Sequence, residues 1–237
     1  MPSSGVKSET TPRHAPVARG YRKGDETRRR ILEAALQEFG AAGIAGATTR
    51  RIAHEAAVNL PALKYYFGGK EGLYLACAQE IVAEYQAHML GMLAGIAAAL
   101  EAGATPATAR QQLKAVLGAL VDLQIGRHQS DIWMSFVLRE IAEQGPAFGL
   151  LFEQLWSPGV SLIAELVRRI TGDAPGATAP RLQALLLLSS LSAFSLARPI
   201  ALKYLGWTSL DADGVGAIKA VLERQVDDLA SGAPQPA

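Results

Sequence analysis

The sequence predicts an all-α protein, on three observations. Apolar residues recur at helical spacing through nearly all of residues 25–231. No segment sustains the alternation of β-branched residues that a strand requires. Glycines and prolines fall at intervals that cut the chain into helix-length pieces. With 49% apolar and 19% charged residues among 237, the chain can bury a sizeable core.

Residues 1–24 hold three prolines and three glycines with almost no apolar periodicity, so a flexible tail is expected there, basic at Arg19–Lys23. Ile31, Leu32, Ala35, Leu36 and Phe39 then recur at helical spacing, and Gly40 and Gly43 stop the run. Thr48 or Thr49 caps a short helix carrying Ile52, Ala53 and Ala56 on one face. Asn59 caps the next, which has Leu63 and Phe67 four apart and Pro61 in its first turn, where a missing N–H costs little. Gly68-Gly69 ends it. A longer helix starts near Lys70 and runs through Leu73, Cys77 and Ile81, with Gly91 and Gly95 bending or ending it. Further helices are expected at 106–125, 129–143, 148–171, 180–204 and 211–230, and a frayed tail at 232–237. The domains are therefore 25–72, three short helices, and 73–231, a larger helical body, with one helix shared between them.

The 23 basic and 22 acidic residues exclude a histone-like or acidic-tail protein. Their distribution is uneven: residues 1–72 carry 12 basic and 7 acidic side chains, residues 73–237 carry 11 and 15. A basic front on an acidic body fits an anionic partner, nucleic acid or lipid, for the N-terminal part, although scatter of surface charge gives similar gradients. Cys77 is the only cysteine, which excludes an intrachain disulfide and a multi-cysteine zinc site and suits a buried small apolar residue. The first 24 residues lack the apolar stretch of a secretory signal. The most apolar window, Leu182–Ala197, falls short of the ~20 residues that span a bilayer. A soluble, cytoplasmic protein with no membrane partner is expected. The four histidines, at 14, 54, 88 and 128, show no metal-ligand spacing, and neither a nucleophile elbow nor a phosphate-cradling glycine loop is present. The expectation is no enzyme, no metal and no cofactor.

Residues 27–77 carry the functional signal. A long helix is followed by two short ones joined by the tight turn Ala57-Val58-Asn59, with Ile52, Val58, Leu63 and Phe67 as inward anchors. That is a helix-turn-helix, whose second short helix enters the DNA major groove. With Leu63 and Phe67 buried, its outward side chains are Leu60, Pro61, Ala62, Lys64, Tyr65 and Tyr66. Small and apolar residues at its start permit close approach and contact with thymine methyls. Lys64 reaches a phosphate or a guanine edge, and tyrosine hydroxyls donate to phosphates. Lys70 and Thr49-Arg50 sit at helix starts, where free N–H groups favour phosphate. Singly, Tyr65 and Tyr66 also fit half-buried aromatics and Lys64 a solvated charge. Together with the tight turn and the anchors they point to duplex DNA.

The same stretch resembles the N-terminal domain of the TetR family of transcriptional regulators. The matching features are the Ile31/Ala35/Phe39 helix, Gly43, Thr48-Thr49, Ile52-Ala53, Val58, Leu63, Phe67, Lys70 and Leu73, over about a fifth of the chain. Residues 65–77 resemble more narrowly the CecR-like branch, and the body around Arg139-Glu140 and Trp156 is compatible with that branch. The resemblance implies a homodimeric, ligand-responsive regulator, usually a repressor, released from a palindromic operator by a small molecule. It implies DNA contact by Thr49, Arg50, Asn59, Leu60, Pro61, Ala62, Lys64, Tyr65, Tyr66 and Lys70. Two residues depart from the family pattern. Ala57 stands where most members have Gly, so a left-handed conformation there costs ~1 kcal/mol, and Lys64 stands where many have Tyr, which alters base preference.

The resemblance also assigns the body a small-molecule pocket and a pairing surface. Candidate pocket liners are His88, Met89, Met92, Trp133, Phe136, Arg139, Phe148 and Trp156, each of which also fits plain core. Leu182, Leu185, Leu186, Ser189 and Ala193 share a face of the helix at 180–204, which either joins the helix at 211–230 in a four-helix dimer interface or is buried within its own subunit. The competing expectation for the whole chain is an all-α ligand-binding or enzymatic bundle without specific DNA binding.

Overall fold

The computed structural model describes residues 17–125 and 128–229, together with their side chains except at 17–23, 128–131 and 192. Residues 1–16 of the tail expected at 1–24, the tail expected at 232–237, the side chains of the basic arm and that of His128 lie outside the described residues. Helices follow one another without a strand among the described residues: α1 (Val17–Gly46), α2 (Thr49–Glu55), α3 (Leu60–Phe67), α4 (Lys70–Glu101), α5 (Pro106–Ile125), α6 (His128–Glu143), α7 (Phe148–Leu151), α8 (Ser157–Thr171), α9 (Thr178–Ser195), α10 (Arg198–Leu205) and α11 (Ala212–Asp228). No single described helix is long and apolar enough to cross a membrane.

Two apolar cores organise these helices. The first joins α1, α2, α3 and the start of α4 through Ile31, Phe39, Ile52, Leu63, Phe67 and Tyr74, and takes in Phe136 of α6 and Leu151 of α7. It therefore runs past residue 72, as far as Val82. The second packs the later part of α4 with α5, α8, α9 and α11 through Met89, Leu117, Ile163, Leu187 and Leu222. Cys77 lies in the first core, fully buried, and burial pushes its thiol well above the ordinary value.

Several helix limits differ from expectation for identifiable reasons. α1 starts at Val17, ahead of the boundary expected at 25. Gly43 breaks its regularity with φ 68° and ψ 175°, a conformation open to glycine. Gly40 does not end the run: a side-chain carbon there would come within 3.2 Å of Ser135 Cβ, so its bareness lets α6 approach α1. α4 continues through Gly91 and Gly95, because an interior glycine costs only ~1 kcal/mol and Met89 and Ile96 are anchored in the second core.

The helix expected at 148–171 is divided by a π-helical segment, Phe152–Trp156, in which the Ser157 N–H bonds to the carbonyl of Phe152, five residues back. Pro158 follows and supplies no N–H to the α-helical ladder. The helix expected at 180–204 stops at Ser195, and Pro199 sits in the first turn of a new one, α10, where its fixed φ is already helical.

Candidate functional site

The helix-turn-helix is built by local chemistry. Thr48 is extended (φ −123°, ψ 137°) and its hydroxyl accepts from the Arg51 N–H at 3.3 Å, opening α2. The Val58 N–H closes the turn onto the Ala53 carbonyl at 2.9 Å. Asn59 Oδ1 accepts from the Ala62 N–H at 2.9 Å, opening α3, with Pro61 in the first turn. Ala57 has φ 51°, the left-handed conformation that the sequence marked as costly for a residue with a side chain. Ala57→Gly relieves that strain while gaining unfolded-state entropy, so a net stabilisation of roughly 0.5–1 kcal/mol is expected. Paired thermal melts check this, and a lower melting temperature for the variant contradicts it.

The ten residues expected to contact DNA do not share one environment. Leu60, Pro61, Lys64 and Tyr65 are exposed, at i, i+1, i+4 and i+5 along α3, and form one outward strip; Tyr65 is 84% exposed. Leu63 and Phe67 hold the opposite face in the first core. Tyr66 is corrected from outward to half-buried. It follows Leu63 by three residues and shares its side of the helix, so its ring packs on the first core and its hydroxyl lies beside Gly24 of α1. Its ring meets that of Tyr65 edge-to-face at 5.3 Å and so braces the exposed tyrosine. Ala62 is also partly buried.

Asn59 is exposed but uses its side-chain oxygen on the cap, leaving its NH2 for a partner. Arg50 is exposed and Thr49 half-exposed at the start of α2. Lys70 Nζ lies 3.5 Å from the Ala45 carbonyl, tying the start of α4 to the end of α1 while its side chain stays half-exposed.

Glu38 of α1 escaped the sequence reading. It is only 7% exposed; its carboxylate accepts from the Thr48 N–H at 3.4 Å and pairs with Arg51 at 3.0 Å. A carboxylate at a helix N-terminus complements the dipole and here fixes α2 against α1. The available signal was an acid standing within the apolar stripe of Ala34, Ala35 and Phe39.

In the body, α4, α5, α6, α8, α9 and the π segment line a cavity of about 160 Å³. Three of the eight expected liners face it: Met89, Trp133 and Trp156. Tyr85, Leu93, Val116, Gln124, Met134 and Val137 were missed and also line it. The structure places the other five in different surroundings. The His88 ring turns back to the carbonyl of Glu84 at 2.8 Å. Met92 packs against the second core without lining the cavity. Phe136, one turn along α6 from Trp133, is fully buried in the first core, with its ring 4.7 Å from that of Tyr74. Phe148 backs the Trp156 ring at 5.5 Å from outside the cavity.

Arg139 clamps the end of α1 instead, donating to the carbonyls of Gly40 at 3.4 Å and Ala41 at 3.0 Å and to Glu143 at 2.7 Å. Beside it, the buried Glu140 carboxylate accepts from the Tyr74 hydroxyl. Burial, then this hydrogen bond, pushes the Tyr74 hydroxyl well above its ordinary value, so it remains a donor. α6 thus forms cavity wall through Trp133, Met134 and Val137, and grips the helix-turn-helix unit through Phe136, Arg139 and Glu140.

The five residues named for pairing, Leu182, Leu185, Leu186, Ser189 and Ala193, are all exposed on α9, and the three leucines are 55%, 48% and 69% exposed. The inward face of α9 is supplied by Ala184, Leu187 and Leu191.

Residues 31–77 match the family described as bacterial regulatory proteins, tetR family, and residues 109–233 match the C-terminal domain of the HTH-type transcriptional dual regulator CecR. The protein of that name from Shigella flexneri is 32% identical over 215 residues, covering 90% of this chain and 95% of the relative. Among solved structures, a TetR-like transcriptional regulator from Rhodococcus sp. RHA1 aligns with a TM-score of 0.57 at 20% identity, covering 87% of this chain and 96% of the other. FadR from Bacillus subtilis, solved with stearoyl-CoA, aligns with a TM-score of 0.58 at 15% identity, covering 87% and 99%.

Proposed function

Since the chain belongs to the TetR family of bacterial regulatory proteins and carries a CecR-type C-terminal domain, we propose that it is a ligand-responsive, dimeric transcriptional regulator. It acts in the cytoplasm as a repressor, occupies a palindromic operator and is released by a small molecule. The observation that carries this is the outward strip of α3: Leu60, Pro61, Lys64 and Tyr65 stand free on a capped helix whose other face is anchored by Leu63 and Phe67. Such a strip offers apolar contact to thymine methyls, one cation and one phenol to bases or phosphates. The relative is named a dual regulator.

Pairing through the exposed leucine face of α9 supplies the two-fold symmetry that a palindrome requires. Leu182→Glu combined with Leu186→Glu is expected to raise the dimer dissociation constant at least roughly tenfold, because two desolvated charges meet their symmetry mates. Sedimentation equilibrium reads this, and an unchanged dimer removes α9 from the interface.

Ligand response follows from the position of two helices. α4 carries Lys70 beside α1 and, about 22 Å along its axis, Tyr85 at the cavity wall. α6 lines the same cavity and clamps α1 through Arg139. An occupant that displaces either helix changes the spacing of the paired recognition helices, and bound operator must weaken the occupant's affinity by the same factor.

The test is a fluorescence-anisotropy titration with duplex flanking the protein's own gene, repeated at several salt concentrations. A preference of about 10³ or more over unrelated duplex is expected, with log affinity falling linearly in log salt. Equal binding to all duplexes favours a helical bundle whose N-terminal helices only pack.

A further inference from the structure

α10 is an apolar helix without a core of its own. Ile200, Ala201, Leu202, Tyr204 and Leu205 make up five of its eight residues, yet none of the eight is buried. Ile200 and Tyr204, one turn apart, form its outward strip and are 72% and 89% exposed. Leu196 stands exposed at the bend before it, where the chain turns 77° out of α9. Leu205 instead joins Leu191, Phe194, Trp207 and Val221 around an open apolar groove of about 330 Å³ between α9 and α11. Exposed apolar surface on this scale marks a place where something docks.

Area decides between the candidate occupants. A stable pair of like copies buries ~800 Å² per partner, about 65% of it apolar, so roughly 500 Å² of apolar surface is required. The exposed parts of Leu182, Leu185 and Leu186 supply about half of that, roughly 250 Å². Leu196, Ile200, Tyr204, Leu205 and Val221 bring the apolar surface to roughly 700 Å². The leucine face of α9 by itself falls short, whereas α9 with α10 suffices. The chain's own residues 230–237 hold no aromatic, Leu, Ile, Val or Met side chain with which to cover the strip. α11 also carries the chain roughly 20 Å away from Gly214, which packs on Trp207, before that stretch begins.

We propose that the outward strip of α10 is covered by a second copy of this chain, so that the pairing surface runs from Leu182 on α9 to Tyr204 on α10. This rests on the dimeric reading above, which used α9 alone, and goes further by giving the interface a second helix. Tyrosine suits the outer end of such a surface, because its ring covers a large area while its hydroxyl keeps a wet partner at the edge. Lys203, exposed beside it, belongs to the polar rim.

The test compares two tyrosines of the same full chain, without DNA. Tyr65 and Tyr204 are 84% and 89% exposed in a single copy. Nitration by tetranitromethane is followed at each by mass spectrometry of the peptides, at protein concentrations where sedimentation equilibrium gives the monomer fraction. With about one-tenth of the chains monomeric, Tyr204 is expected to react about tenfold more slowly than Tyr65, and after dilution to monomer at a similar rate. In addition, Ile200→Asp combined with Tyr204→Asp is expected to raise the dimer dissociation constant at least about tenfold, with helix content unchanged because both side chains are exposed.

Equal nitration of Tyr204 and Tyr65 in the dimer overturns the proposal. So does protection of Tyr204 that persists in the monomer, which would assign the strip to the chain's own terminal residues, or a dimer constant unmoved by the α10 variant. The two readings are separable. A wild type that stays monomeric at every concentration removes pairing altogether, whereas a dimer broken by the Leu182/Leu186 variant and untouched by the α10 variant keeps α9 and removes α10 alone.

Discussion

Lys64→Ala combined with Tyr65→Ala should lower operator affinity about 100-fold, with helix content, melting temperature and oligomeric state unchanged. The magnitude follows from two lost contacts at ~1–3 kcal/mol each. The structure explains why the fold should tolerate the change: both side chains are exposed and Tyr65 is 84% so, and exposed positions usually shift stability by under ~0.5 kcal/mol. The two residues should also separate. Loss of Lys64 lowers the salt slope of binding by roughly one, whereas loss of Tyr65 removes a neutral hydroxyl and leaves the slope nearly intact. Tyr66→Phe, by contrast, should matter little to DNA, because that ring serves as a strut between α3 and α1. If the double variant binds operator as the wild type does, α3 is not the reading helix.

The second large effect concerns stability. Phe136→Ala should cost about 3–5 kcal/mol, the range for emptying a fully buried aromatic site. Phe136 is 0% exposed and lies against Tyr74 of α4, and its backbone faces the bare Gly40 of α1. The void would open where the body grips the helix-turn-helix unit, with Arg139 and the Glu140–Tyr74 pair beside it. At ~2–4 °C per kcal/mol for a chain of this size, the melting temperature should drop by roughly 10 °C or more. Phe136→Leu, which keeps most of the volume, should cost clearly less. Phe136 is not part of the cavity wall, so the effect should fall on stability. A melting temperature within about 2 °C of the wild type would contradict this.

The helix-turn-helix was legible because its signals are local. Thr48 and Asn59 cap the next turn, and Leu63 and Phe67 repeat at helical spacing, so residue type and spacing suffice. The strain at Ala57 was legible for the same reason: a tight turn demands a left-handed residue wherever it occurs. Spacing within α3 alone leaves Tyr66 outward, whereas its burial depends on α1 returning over α3, a contact between residues far apart in sequence.

The cavity was the least legible feature. Met89 and Met92 lie on nearly the same side of α4, yet only Met89 reaches the opening, since α5 and α8 decide which part of the apolar face is left uncovered. Phe136 and Trp133 are one helical turn apart on α6 and both pack on the first core, yet only Trp133 lines the cavity. Spacing identifies an apolar residue but does not say which neighbour it meets. The π segment at Phe152–Trp156 likewise depends on Pro158 being accommodated within a packed helix rather than ending it.

Hydroxyl-radical footprinting of the wild-type protein on duplex flanking its own gene tests most directly whether two copies of α3 read one operator. Two protected windows related by a dyad, with centres ~34–36 Å apart or slightly more, are expected, both fading together in the Lys64/Tyr65 double variant. A single window without symmetry, or two windows that persist unchanged in that variant, would contradict it.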